Sequence, residues 1–261
     1  MSKKTLIITG GSSGIGRATA IFFATRGYKV YELSRHGSDV DGITHIDCDV
    51  TRSDDCRMAA SRVIEEAGHI DVMISNAGMG ISGPVEFTAS DEAHRQMEVN
   101  FFGAVNITQA VLPYMRQARA GRIIFVSSLA AVFSIPFQPF YSASKFAVNG
   151  LAMALRNEVR PFGISVSCLL PGDVKTGFTD ARCKSDIGSD VYKNMDKAVR
   201  TMERDERNGI SPERMARKLF SMAEASRPSA FGTVGAVYHL FLFLNKLLPA
   251  SLVYRVVGRM Y

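Results

Sequence analysis

Tyr141 and Lys145 stand four positions apart, and the run Ser142 to Val159 predicts a helix, so the two share one helical face. A phenol beside an ammonium is a chemical pairing. An isolated tyrosine has a pKa of ~10 and stays protonated at neutral pH. A neighbouring positive charge favours the phenolate and draws that pKa toward the working range of an acid/base catalyst. The same spacing also occurs on ordinary surface helices. The pair gains meaning only if the rest of the chain supplies a cofactor and a substrate.

A cofactor site is written at the start of the chain. Thr5-Leu6-Ile7-Ile8-Thr9 predicts a buried strand, Gly10-Gly11-Ser12-Ser13-Gly14-Ile15-Gly16 a turn, and Arg17 to Arg26 a helix. That order brings backbone N–H groups and a helix N-terminus to a pyrophosphate. Glycine is required because a Cβ would hold the phosphate off the backbone. The spacing is GxxxGxG rather than GxGxxG, and glycine clusters are often plain turns. Its place between a first strand and a helix sets this one apart. Tyr28 to Ser34 predicts the second strand, ending Leu33-Ser34-Arg35. At that end an acidic residue binds a ribose 2′-hydroxyl, whereas a basic one accommodates a 2′-phosphate. Glu32 falls two positions before Ser34, too early for the acidic role. NADP(H) is therefore favoured over NAD, with Ser34 and Arg35 at the 2′-phosphate. Arg35 as a solvated loop charge is the alternative.

Further strands and helices must position these groups. Ile43 to Val50 predicts a third strand ending Asp47-Cys48-Asp49-Val50, and Ile70 to Ser75 a fourth running into Asn76-Ala77-Gly78. Arg122 to Ser128, Ile164 to Leu170 and Ala230 to Val234 follow, the sixth strand closed by Pro171-Gly172. Helices are predicted over 54–67, over 91–115, and from the start signal Ser211-Pro212-Glu213 to about Ala225. The strands are continuous apolar runs, and strand alternates with helix. That is the pattern of a parallel sheet buried on both faces. Ligands of such sheets bind beyond the strand C-terminal ends. The glycine loop, Asp49, Asn76, Ser128 and Pro171-Gly172 all fall there. The 261 residues suit one α/β domain, a Rossmann-like doubly wound fold with a seven-stranded parallel sheet flanked by helices.

Thr9-Gly10-x-x-x-Gly14-Ile15-Gly16, Asn76-Ala77-Gly78, Asn100, Ser128, Tyr141-x-x-x-Lys145 and Pro171-Gly172 span about the first two-thirds of the chain. In kind and order they resemble the motifs of the short-chain dehydrogenase/reductase family. Ser128 precedes Tyr141 by 13 residues, the family's usual separation. Ser75 departs, since many members carry a second Asn there. The resemblance implies roles. Tyr141 is the acid/base, and Lys145 lowers its pKa and binds the nicotinamide-ribose hydroxyls. Ser128 orients the reacting oxygen, and Asn100 holds a water in a proton relay to Lys145. Gly10, Ser12, Ser13, Gly14, Ile15 and Gly16 form the phosphate loop. Asp49 meets the adenine, with Val50 beside it, and Asn76, Ala77 and Gly78 line the cofactor and brace the sheet. Pro171, Gly172 and Val174 contact the cofactor, and Thr176 hydrogen-bonds its carboxamide. Read without the family, Ser127 and Ser128 merely end a strand. Asn100 would then be a helix polar residue, though apolar Val99 and Phe101 flank it.

Substrate chemistry is read from the connections. Leu129 to Phe140 joins Ser128 to Tyr141 and is rich in Val132, Phe133, Ile135 and Phe137. It predicts an apolar pocket wall, or packing onto the fold. Met79 to Phe87 is expected opposite. Residues 177–209 are highly charged with few large aliphatics, and the resemblance makes them a mobile substrate lid. Within them, 190–208 predicts an amphipathic helix with Val191, Met195, Ala198 and Met202 on one face. Residues 236–261 form an apolar helical extension. No acidic residue follows Glu224, while Arg227, Lys246, Arg255 and Arg259 add positive charge. Its longest apolar run is about ten residues, short of the ~20 that a spanning helix needs. The tail is read first as a subunit interface, in a homodimer or homotetramer, or as a pocket wall. Its second reading is an amphipathic anchor giving peripheral contact with an anionic membrane.

Composition bounds the rest. With 46% hydrophobic and 21% charged residues this is a folded globular protein. The net charge of +6 comes from scattered basic residues without a nucleic-acid motif, so no nucleic-acid partner is expected. Cys48, Cys56, Cys168 and Cys183 form no CxxC or Cys/His cluster, which predicts reduced intracellular thiols and no metal site. The apolar run Leu6 to Thr9 is too short for a signal-peptide core, and a cytoplasmic location is expected. The sequence thus points to an NADP(H)-dependent oxidoreductase. It would interconvert a hydrophobic ketone and a secondary alcohol, steroid- or lipid-like, by hydride transfer. A cofactor-binding regulator without turnover is the alternative, but it has no need of Asn100, Ser128, Tyr141 and Lys145 together.

Overall fold

Leu6, Ile7 and Ile8 are wholly buried, yet they serve two cores. Ile7 packs with Met73, Ile123 and Phe125 on one face of the sheet, and Leu6 and Ile8 with Ile74 and Ile124 on the other. A strand covered on both faces has no polar side, hence the apolar runs without alternation. In the computed structural model, which describes residues 3–40, 42–184 and 187–261, seven strands make this sheet. They are β1 (Thr5–Thr9), β2 (Lys29–Ser34), β3 (Ile43–Asp47), β4 (Val72–Ser75), β5 (Gly121–Val126), β6 (Ile164–Leu169) and β7 (Phe231–Gly232). All pairings are parallel, in the order β3-β2-β1-β4-β5-β6-β7. The chain winds outward from β1 to β3, then restarts at β4 and winds the other way. That reversal opens a crevice at the carboxyl ends of β1 and β4. The third strand stops at Asp47, short of the expected Val50, because Asp49 turns the chain by accepting the Thr51 N–H at 3.0 Å.

The helices are α1 (Gly14–Ala24), α2 (Ser53–Ala67), α3 (Ser90–Met97), α4 (Gly103–Ala118), α5 (Pro139–Glu158), α6 (Phe178–Ala181), α7 (Met195–Arg207), α8 (Pro212–Glu224), α9 (Ala236–Leu247) and α10 (Ala250–Met260). One face of the sheet is covered by α1 and α8, through Phe23, Met215 and Leu219. The other is covered by α2, α4 and α5, through Val63, Ile107 and Val148. The single helix expected over 91–115 is interrupted. A π-helical turn, Glu98–Phe102, separates α3 from α4 and carries the buried Asn100. Hydrophobic period does not register such a one-residue widening.

Two later segments depart in detail. The lid helix begins at Met195 rather than 190, after a turn at Gly188 with φ +88. Met195, Ala198 and Met202 are buried as expected, but Val191 lies before the helix and is exposed. Residues 185 and 186 of the lid lie outside the described residues. The tail forms two helices broken at Pro249. Among the described residues, no helix is long and apolar enough to cross a membrane.

Candidate active site

The first turn of α5 carries Tyr141. The helix starts at Pro139, whose fixed φ suits the first helical position. Just before it, Phe137 takes φ +60, left-handed backbone that a bulky side chain rarely adopts. Its carbonyl accepts the Gly83 N–H at 2.9 Å, which ties the loop before Tyr141 to the loop after β4. Ser128 follows β5 in extended backbone, accepts the Ala130 N–H at 3.0 Å, and lines the same cavity as Tyr141. One turn beyond Tyr141, the buried Lys145 donates to the Val126 carbonyl at 3.0 Å.

Burial governs the electrostatics of the pair. Burial pushes the Tyr141 phenol above its ordinary range. The Ser128 hydroxyl and the Arg182 charge oppose that rise, and the Glu206 carboxylate adds to it. The Lys145 ammonium is bound to the Val126 carbonyl and sits 5.7 Å from the Tyr141 ring centroid. Burial lowers Lys145 itself to about 8. Both groups are thus held toward their neutral forms.

Asn100 is placed behind this pair, and its amide makes three hydrogen bonds. Its Oδ1 accepts the Met79 N–H at 2.8 Å, and its Nδ2 donates to the Met79 carbonyl and to Ser144 Oγ, each at 3.0 Å. It fixes the chain after β4 rather than reaching Lys145 with its side chain. A Cβ on Gly78 would stand 3.2 Å from Asn100 Oδ1 and 3.6 Å from Lys145 Nζ, so Gly78 is where the two converge.

Gly78, Ser128, Tyr141 and Lys145, though not Asn100, border one cavity of about 740 Å³ that runs from the glycine turn past Tyr141 to the tail. Gly10, Ser13, Gly14 and Ile15 line one end, joined by Asn76, Ala77 and Gly78. Ser128, Tyr141 and Lys145 line the middle, faced by Pro171, Gly172, Val174 and Thr176. The residues present fit a dinucleotide. Among the described residues no side chain caps the N-terminus of α1, and no acidic residue occupies its first turn. Its N–H groups are therefore left to an anion. Thr176 closes over the turn, its Cβ 3.4 Å from where a Gly14 Cβ would be. Gly16 packs instead of lining: a Cβ there would meet the Gly10 carbonyl oxygen at 2.1 Å. Asn76 bonds the Thr9 and Gly10 carbonyls, both at 3.1 Å, and so ties β1 to the end of β4. Ser12 is outside the lining, and Val50 is buried against Gly103.

At the β2 end, Arg35 is exposed. Burial opposes ionisation of Asp49, but hydrogen bonds from Thr51 and the charges of Arg35 and Arg52 hold its carboxyl below the ordinary range. Ser34 Oγ donates to Glu32 Oε1 at 3.2 Å. Glu32, set aside as too early, lies buried under the glycine turn, where a Gly11 Cβ would come within 2.5 Å of its own. It is bonded to the His45 ring, and its Oε2 has no hydrogen-bond partner among the described residues.

Sequence reasoning missed several lining residues. Phe178, in α6, holds its ring 5.8 Å from that of Tyr141. Glu206, from α7, accepts Thr179 Oγ1 at 2.7 Å and pairs with Arg182. Tyr238, from α9, lies against Gly172 and donates to Asp173 Oδ2 at 2.8 Å. Burial raises the Asp173 carboxyl, and Glu206 and Asp205 add to the rise. Asp173 had a signal in its neighbours Pro171-Gly172, Phe178 and Glu206 lie in the segment 177–209 expected as a lid, and Tyr238 lies in the tail, one of whose readings was a pocket wall. From the connections that were expected to form the pocket, Phe133, Ile135 and Gln138 do line it.

The short chain dehydrogenase family profile matches residues 4–186. The chain is 41% identical over 250 residues to the 3-ketodihydrosphingosine reductase of Bacteroides thetaiotaomicron, covering 94% of this chain and 93% of that protein. It is 32% identical over 252 residues to the probable short-chain type dehydrogenase/reductase VdlC of Helicobacter pylori, covering 94% and 93%. Among solved structures, a short-chain dehydrogenase from Streptomyces avermitilis superposes with a TM-score of 0.86 at 27% identity, covering 99% of this chain and 98% of that one.

Proposed function

We propose, because the chain belongs to the short-chain dehydrogenase/reductase family and is an oxidoreductase of it, that it reduces a long-chain apolar ketone with NADPH. The observation that carries this reading is that Tyr141, Ser128 and Lys145 line the middle of one largely apolar cavity that runs on to the glycine turn. The family binds NAD(P)(H), and the bound nicotinamide supplies the hydride. The chain supplies the rest. Ser128 hydrogen-bonds the ketone oxygen and holds it against Tyr141. Tyr141, kept protonated by burial, gives its hydroxyl proton to that oxygen as negative charge develops there. Lys145 steadies the phenolate that remains and binds ribose hydroxyls through Nζ. Asn100 keeps the Met79 backbone clear of Lys145 and supports its reprotonation through water. Phe133, Ile135 and Phe178 exclude bulk water from the reacting oxygen.

The substrate class draws support from the Bacteroides relative, whose name specifies a ketone on a long alkyl chain. The apolar tail residues that extend the cavity beyond Tyr141 suit such a chain. For the cofactor, Arg35 at the end of β2 is the group that meets a 2′-phosphate, with Asp49 beside it. The test is NADPH and NADH oxidation with 3-ketodihydrosphingosine and a series of shorter ketones. NADPH should give the higher kcat/KM, and the value should rise with chain length. Arg35→Ala should narrow the NADPH preference about tenfold, the scale of one lost charge-assisted bond. An unchanged preference removes Arg35 from the site, and no turnover with any ketone ends the reading.

A further inference from the structure

We propose that the α9–α10 pair lays its outer face on an anionic lipid surface, and that the Tyr141 cavity opens toward that surface. The entry of a long-chain ketone from lipid rests on the function proposed above. The docking itself does not.

The two helices are apolar on both sides. Inward, Tyr238, Phe241 and Leu244 line the cavity. Outward, Val237, Leu240, Phe243 and Leu247 form one stripe at helical spacing, and each is more than half exposed, Leu247 at 64%. Leu252, Val256 and Met260 repeat the pattern on α10 at intervals of four. A helix apolar all round is stable only if both sides are covered. The fold covers one.

Charge selects what covers the other. Lys246, Arg255 and Arg259 are exposed on the same two helices, and no acidic residue follows Glu224. On α10 the positions 252, 255, 256 and 259 share one side, so arginines alternate with Leu252 and Val256. Cations among large aliphatics suit the headgroup boundary of an anionic bilayer. A two-fold pairing of this face with itself would bring like charges together, with no tail carboxylate to offset them. At 12 and 11 residues the helices lie on a bilayer rather than span it.

The cavity reaches the same face. Val256 and Met260 line it and are each 50% exposed, so they form its rim rather than its floor. Leu248, at the bend between the helices, does both as well. The mouth is therefore bordered by the side chains that would rest on lipid.

The experiment is co-sedimentation of the full chain with vesicles of phosphatidylcholine, with and without phosphatidylglycerol. The protein should pellet with the anionic vesicles and be released by high salt. The double variant Leu240→Ser, Phe243→Ser, at outer positions that do not line the cavity, should stay in the supernatant. It should also lose about tenfold in turnover of a long-chain ketone presented in anionic vesicles, yet keep its rate on a short soluble ketone. The charge variant Lys246→Glu, Arg255→Glu, Arg259→Glu should lose the preference for anionic vesicles. Wild type left in the supernatant with both vesicle types overturns the proposal. So does a change of oligomeric state in the double variant, by sedimentation velocity, with vesicle binding intact; the face would then bind a second copy. If no ketone is turned over by the wild type, the proposed function fails, while pelleting still decides the docking.

Discussion

Burial acts alike on the two residues at the centre of the site: it disfavours charge on both. For Tyr141 that is useful, since a proton donor must hold its proton until the ketone oxygen needs it. For Lys145 it is a cost. Its folded pKa of about 8 lies below the ordinary 10.5, so between those values the folded protein binds fewer protons than the unfolded chain. The penalty is complete below pH 8 and disappears as pH rises toward the ordinary value. A shift of this size corresponds to about 3 kcal/mol. Lys145→Met removes it and loses about 1 kcal/mol with the bond to the Val126 carbonyl. The melting temperature of the cofactor-free protein at pH 7 should then rise by roughly 5 °C while activity is lost. A lower melting temperature would show that the ammonium stabilises the fold. The spacing of Tyr141 and Lys145 was legible from sequence. Where the ammonium points was not, because Val126 is held beneath it only by the packing of α5 on β5.

Among the elements, the glycines separate those that carry geometry from those that do not. Gly16 opens α1 against the end of β1, where a Cβ would run into backbone 2.1 Å away. Gly150 lies on α5 with none of the described residues within 4 Å of an added Cβ. Gly150→Ala should therefore stabilise the protein by about 1 kcal/mol through helix propensity alone. Gly16→Ala should displace the turn and abolish cofactor binding. Chemical denaturation and cofactor fluorescence check the pair, and equal effects at the two sites would contradict the packing described. The parallel sheet was readable because buried strands show as apolar runs. The π-helical turn at Glu98–Phe102 was not, because a single extra residue barely disturbs a period of 3.6 over so long a helix. The lid helix was begun too early for a related reason: Val191 fits the period of Met195 and Met202, yet its N–H bonds the Gly188 carbonyl in the turn before the helix.

At the scale of the whole molecule, the last helices return to the crevice that the first strand opens. Tyr238 makes that closure specific, with its ring against Gly172 and its hydroxyl on Asp173. Tyr238→Ala should raise KM for long-chain ketones about tenfold and leave cofactor affinity within about twofold, since it loosens one wall of the cavity and not the glycine turn. A change confined to kcat would argue that Tyr238 acts on chemistry instead. Such closure is invisible to local pattern, because the residues it joins lie far apart along the chain. The tail's composition suggested a covered surface without saying which. The claim on which all this rests is that Tyr141 gives the proton. Single-turnover NADPH oxidation at saturating ketone tests it most directly, comparing wild type with Tyr141→Phe. The rate should fall by on the order of 10²–10⁴-fold with NADPH binding intact, whereas equal rates would contradict the account.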